Sequence, residues 1–207
     1  MRQFVFILFV SIYCFACADS NQSLPILGNR DFVNGDTVYQ KIPNFSFINQ
    51  DSLTVTEADY DGKIYVVDFF FTHCPTICPK VTKQMLRVYD KFKADPKVML
   101  LSHTIDVRND TVGRLRAYAK GLNIEAPKWN MVTGDKAKIY AIANYYFSVA
   151  KEDENAPGGF DHSGRLILID AQKRVRGFCD GTNAEEVDVF MTNIQKLLEE
   201  EKGIKKQ

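Results

Sequence analysis

An excess of charge of either sign is missing from this sequence. Its 207 residues carry 26 lysines and arginines against 26 aspartates and glutamates, a formal net charge of zero. A protein that grips nucleic acid through its phosphates needs a surplus of cations, so that class has no support. Long apolar runs are missing as well: none reaches the ~20 residues that a membrane-spanning helix requires. No segment repeats and no stretch is of low complexity, so nothing points to a repeat architecture. Histidine is scarce, with 3 in all: His73, His103 and His162. The remaining composition, 45% hydrophobic and 25% charged, is ordinary for a globular protein. The length suits one domain with a sizeable core, with or without extensions.

The first residues differ from the rest. Met1 and Arg2 give a short positive start, and residues 4–16 form a mostly apolar run of the length of a signal-peptide core. The run ends at Ala16-Cys17, and polar residues follow: Asp19, Ser20, Asn21, Gln22 and Ser23. A small residue before a cysteine at the end of such a run resembles a bacterial lipoprotein cleavage box, although Cys14 stands where leucine is usual. Ordinary secretion with cleavage elsewhere is the alternative. The expectation is a signal peptide over 1–16, lipid on Cys17, a tether over 17–36, a folded domain over 37–200 and a charged tail over 201–207. The protein would then be an exported, membrane-anchored lipoprotein facing the periplasm. One acyl chain binds a membrane only marginally, so a stable anchor takes more than one. Of the five cysteines, Cys14 would leave with the signal and Cys17 would carry lipid. Cys74, Cys78 and Cys179 would remain, in a compartment where disulfides persist. An odd number leaves at least one thiol unpaired within the chain.

Downstream, the pattern alternates between strand and helix. Val38, Tyr39, Ile42, Phe45 and Phe47 read as a small hairpin region before the main sheet, with a turn over 49–52. Residues 64–71 are almost continuously apolar, as in a central strand buried on both faces. Val81, Met85, Val88, Tyr89 and Phe92 then fall on one helical stripe, which Asp95-Pro96 stops. Residues 98–101 read as a second buried strand. A helix over 111–120 follows, with Gly121 to close it, then a short strand over 129–132. Asp135 is placed to cap a helix carrying Ile139 and Ile142. Residues 151–161, with Pro157, Gly158 and Gly159, read as a loop. Two antiparallel strands over 166–169 and 174–179 precede a capping box at Thr182 and Glu185. The last helix carries Val187, Phe190, Met191, Ile194 and Leu197. The order implies an α/β fold of thioredoxin-like type, a central mixed sheet flanked by helices, with an N-terminal β-hairpin extension.

The sharpest feature is Phe71-Thr72-His73-Cys74-Pro75-Thr76-Ile77-Cys78-Pro79, where the first buried strand meets the first long helix. That junction aims backbone N–H groups and the positive end of the helix dipole at the cysteines. Both favour the thiolate, the form that attacks disulfides and binds metals. Pro79 suits the first helical turn, where its missing N–H costs nothing. Cysteines at i and i+4 on a helix have Cβ atoms about 5–6 Å apart, against the ~3.5–4.5 Å of a disulfide. The spacing is compatible with a disulfide, after local adjustment, and with a metal bridging the sulfurs. Bare spacing alone would suggest a structural disulfide or two core thiols.

The motif resembles the signature of the Sco/SenC family of copper-binding, thioredoxin-like proteins. Ile42, Pro43, Phe45 and Phe47, then Gly62-Lys63 and the strand to Phe71, are similar to that family's approach to the motif. Asp161-His162-Ser163, before a strand ending in Asp170, is similar to its distal histidine segment. Asp106-Val107-Arg108-Asn109-Asp110-Thr111 departs from the family's usual loop, which has proline after the first aspartate. The resemblance covers about residues 39–198. It implies that Cys74, Cys78 and His162 bind copper.

Two thiolates and an imidazole are a soft set suited to Cu(I) and, with added ligands, Cu(II). Zinc fits the same donors, though a closed structural zinc site asks for a fourth protein ligand. His73 and His103 are weaker candidates, Asp161 is placed to orient His162, and Cys179 reads as a buried free thiol. The first functional expectation is a copper metallochaperone, not an enzyme, which delivers copper to the copper-bearing subunit of cytochrome c oxidase or another copper/thiol protein. The alternatives are a thiol–disulfide oxidoreductase and a redox or copper sensor. In the oxidoreductase, Cys74 attacks and Cys78 resolves.

Overall fold

A computed structural model describes residues 23–204; the expected signal peptide and Cys17 lie outside the described residues. Strands β1 (Arg30–Val33) and β2 (Asp36–Tyr39) come first, then β3 (Ser46–Asn49) and β4 (Thr54–Thr56). Next are β5 (Ile64–Phe70), α1 (Cys78–Phe92), β6 (Val98–Thr104), α2 (Val112–Leu122), β7 (Trp129–Thr133) and α3 (Lys136–Tyr145). The short strands β8 (Ala150–Glu152) and β9 (Phe160–His162) precede β10 (Arg165–Ile169), β11 (Val175–Asp180) and α4 (Ala184–Ile204).

The core is built on three strands buried at every position, β5, β6 and β7. They run parallel in that order. Antiparallel strands extend the sheet on both sides, giving the order β11-β10-β5-β6-β7-β3-β4. The mixed sheet with flanking helices is the thioredoxin-like arrangement expected from the sequence. A right-handed crossover from β5 to β6 and another from β6 to β7 put α1 and α2 on the same face. The contacts agree: Tyr118 of α2 stacks on Phe70 at 5.8 Å and shares a 3.2 Å hydrogen bond with Thr82 of α1. Helix α4 joins them through Arg87 and Asp188. α1 turns Val81, Met85, Val88 and Phe92 inward, each contributing about 1.5–3 kcal/mol by burial. Because side chains alternate along β5, Tyr65 and Phe69 face the other way and pack with Tyr146, which caps the C-terminus of α3.

Several ends differ from expectation. α2 is closed by Asn123 in the left-handed region (φ 55°), not by Gly121; asparagine tolerates that conformation well. α4 is capped by Asn183, whose side-chain oxygen accepts the Glu185 and Glu186 N–H groups. Thr182 instead donates its hydroxyl to Asp180. The hairpin of β3 and β4 belongs to the main sheet through β7. The separate N-terminal hairpin is β1–β2, closed by Asn34 and Gly35, both at positive φ, as a two-residue hairpin turn of this kind demands.

The tether expected over 17–36 is not free over its described part. Arg176, 5% exposed, donates to the Leu24 and Pro25 carbonyls at 2.6 and 3.0 Å. Its charge is met by Glu200 at 2.7 Å and by the buried Asp170 at 3.3 Å. The Leu24 N–H returns to Glu200, and Leu27 bridges to Val175 beside the sheet.

Candidate metal centre

The chain leaves β5 at Phe70, turns, and becomes helix at Cys78. The Cys74 N–H bonds back to the Phe71 carbonyl at 3.2 Å. The Cys78 N–H lies among the first-turn donors that a helix cannot satisfy internally. It points at the Cys74 sulfur, 3.5 Å away, and Thr76 Oγ1 lies 3.7 Å from the same sulfur. Desolvation works against ionisation of Cys74. The N–H groups and side chains of Cys78 and Thr76 together outweigh it, so the thiol sits below its ordinary pKa. Cys78 is the opposite case. Burial pushes its pKa well up, and the neighbouring Cys74 adds to the shift.

His162 arrives from the far end of the β8–β9 hairpin, where the sequence suggested only a loop. Strands of three residues are too short to leave a period in the sequence. The His162 Nε2 stands 3.0 Å from the Cys78 sulfur. The Phe71 ring meets the imidazole edge-on at 5.5 Å and touches Phe160 at 5.0 Å. Gly158 lets the connecting turn lie against this wall. Its φ is +79°, and a Cβ there would stand 2.8 Å from the Phe71 ring, so no larger residue fits without displacement. Desolvation lowers the His162 pKa against the opposing pull of Asp161, which keeps the ring neutral and its nitrogen free to ligate.

One donor atom each from Cys74, Cys78 and His162 lies within 4.8 Å of the other two. All three residues are largely buried, at 7%, 3% and 9% exposure, and the described cysteines are free thiols. The other candidates are elsewhere. His73, 37% exposed, points its Nε2 at Asp106, 3.3 Å away. His103 is fully buried among Phe45, Phe47, Phe69 and Tyr146, where burial drives its pKa down to about 3. Cys179 is a buried thiol on β11, pushed by burial up to about 12. The Asp161 carboxylate pairs with Lys151 at 3.3 Å. Asp106 had no role assigned from the sequence alone. It is buried, and it accepts from Asn109 as well as facing His73.

A profile of the SCO1/SenC family matches residues 35–199. The chain belongs to the SCO1/SenC family. Three solved structures illustrate the likeness. A SCO1/SenC family lipoprotein from Bacillus anthracis is 26% identical, with a TM-score of 0.69 over 76% of this chain and 95% of that one. BsSco, a member of the Sco family of cytochrome c oxidase assembly proteins with an identified disulfide switch, is 25% identical. It gives a TM-score of 0.67 over 76% of this chain and 92% of that one. Arabidopsis thaliana ScoI with copper bound is 27% identical, with a TM-score of 0.63 over 76% and 99% of the two chains. Among curated relatives, the chain spans 91% of the Bacillus subtilis SCO1 homolog but only 51% of the mouse mitochondrial SCO2 homolog. The Cys-Cys-His cluster offers the donors that copper takes.

The unequal thiols set a pH dependence. Ligands bind metal deprotonated, and Cys78 holds its proton well above neutral pH. With Cys78 as a copper ligand, binding would have to expel that proton, and the apparent affinity would rise with pH, by up to about tenfold per unit for one proton. Competition titrations from neutral to mildly alkaline pH will show this slope. A flat profile would mean that Cys78 is not among the ligands.

Proposed function

We propose that this protein is an exported copper metallochaperone, holding copper through the Cys74 and Cys78 thiolates and the His162 imidazole. The observation that carries the reading is the convergence of three soft donors within 4.8 Å, in a family that includes a copper-bound structure. Such a set suits Cu(I), and Cu(II) when further ligands join. Three ligands leave coordination positions open, which transfer through shared ligands requires. The intended recipient is the copper-bearing subunit of cytochrome c oxidase, in keeping with the assembly role of the BsSco relative. Lipid on Cys17 would hold the protein at a membrane, facing the periplasm. Support comes from the lipoprotein relative.

The test is a Cu(I) titration of the reduced, signal-free protein against a competing chelator, beside Cys74→Ser. One tight copper per chain, lost in the variant, is the expected result. Absence of tight binding in the wild type would overturn the reading.

The asymmetry of the thiols favours one second reading, thiol–disulfide exchange. The Cys74 thiolate would attack a partner disulfide and release one partner thiolate. Cys78, after losing its proton, would attack the Cys74 sulfur and release the other. The partner would leave reduced and this chain oxidised, to be restored by an external dithiol.

A further inference from the structure

The position of Cys74 depends on how its turn is held. Residues 105–111, between β6 and α2, set two carboxylates against two successive residues of that turn. Asp106 faces His73. Asp110, with no exposed surface, accepts the Thr72 N–H at 3.0 Å on one oxygen and the Thr72 hydroxyl at 2.5 Å on the other. The Thr104 hydroxyl, from the end of β6, adds a 2.6 Å bond. Arg114 Nε lies 3.7 Å from the same carboxylate and donates to Thr72 Oγ1 at 2.6 Å.

A buried carboxylate is costly unless its lone pairs are met, and burying an ion is by itself a poor way to gain stability. What the arrangement does provide is orientation. Both donors of one residue are tied to both oxygens of one carboxylate, which fixes the backbone and the side chain of Thr72 together. That residue lies two positions before the Cys74 sulfur. The staple also joins the ends of β5 and β6 at the point where the turn departs. Neither Thr72 nor Asp110 is among the three donors that converge at the centre.

We propose that Asp110 and Thr72 are positioning residues for the metal centre, their two-point contact setting the direction in which the turn presents Cys74 to Cys78 and His162. This inference rests on the copper reading of the site. Groups that hold a metal ligand in place typically cost 10–100-fold in affinity when removed.

The decisive comparison is Thr72→Val, which keeps the shape and loses the hydroxyl, with Thr72→Ser, which restores it. Cu(I) affinity of the folded protein is expected to fall about 10–100-fold in the valine variant and to recover in the serine variant. The rate at which iodoacetamide alkylates Cys74 in the metal-free protein should follow the same pattern, because the sulfur's approach to the α1 N–H groups changes with the turn. Thermal midpoints are recorded alongside. A lowered midpoint with wild-type affinity and alkylation would overturn the proposal, as would valine and serine variants that behave alike. Asp110→Asn puts a donor where one acceptor stood and is expected to be at least as severe; should it fail to fold, the Thr72 pair decides. If the wild type itself binds no copper, the copper reading fails separately. The alkylation rates then decide the positioning role: a change in Thr72→Val reversed in Thr72→Ser sustains it, and no change overturns it.

Discussion

Replacing His162 by alanine will remove tight copper binding and leave thiol–disulfide exchange at Cys74 intact. The loss should exceed the about 10–100-fold typical of deleting a group that merely supports a ligand, because the imidazole is one of only three donors in the cluster. Exchange depends instead on the Cys74 thiolate, which is favoured by the N–H groups of Cys78 and Thr76. The substitution leaves those donors in place. A chelator competition and a disulfide-reduction assay on one preparation separate the two properties. Unchanged copper affinity would remove His162 from the ligand set. Loss of both properties would show that the imidazole also serves the thiols, through its 3.0 Å contact with Cys78.

The largest effect on stability is expected at Arg176→Met. Removing one partner from a buried ionic network costs about 3–5 kcal/mol, since the charge left behind stays desolvated. Here Asp170 retains Arg174 at 2.8 Å, but Glu200 loses its 2.7 Å partner. The carbonyls of Leu24 and Pro25 lose their donors as well. Urea unfolding of the metal-free protein measures the loss, and a change under ~1 kcal/mol would place the pair among weak surface bridges. Hydrogen exchange adds a local readout, because the Leu27 N–H, bonded to the Val175 carbonyl at 2.8 Å, should lose protection.

The parts of the fold that were legible in the sequence are those with a strong apolar period. The three buried parallel strands, the stripe of α1 and the stripe of α4 all stand where the pattern placed them. The cysteine pair was legible because its spacing is local and it falls at a strand-to-helix junction. His162 lies 84 residues from Cys78 and was placed by resemblance rather than by any period. The β8–β9 hairpin was illegible for a simpler reason: strands of three residues in a polar, glycine-containing segment carry no alternation to read. The same holds for Asp110 and Thr72. They meet across 38 residues, and each alone looks like an ordinary turn residue. Asn183 and Asn123 show that caps are chosen by local geometry, so the nearest motif match can be one or two residues off.

The hold that Arg176 has on Leu24 and Pro25 bears on how far the folded body can travel. With lipid on Cys17, as proposed, only residues 18–23 separate the anchor from the clamp. Fully extended, such a leash spans about 20 Å, much less than the tether expected from the sequence. A carrier so closely leashed searches for its recipient in the plane of the membrane rather than through the surrounding volume. Delivery to a membrane-bound oxidase would then be governed by lateral encounter.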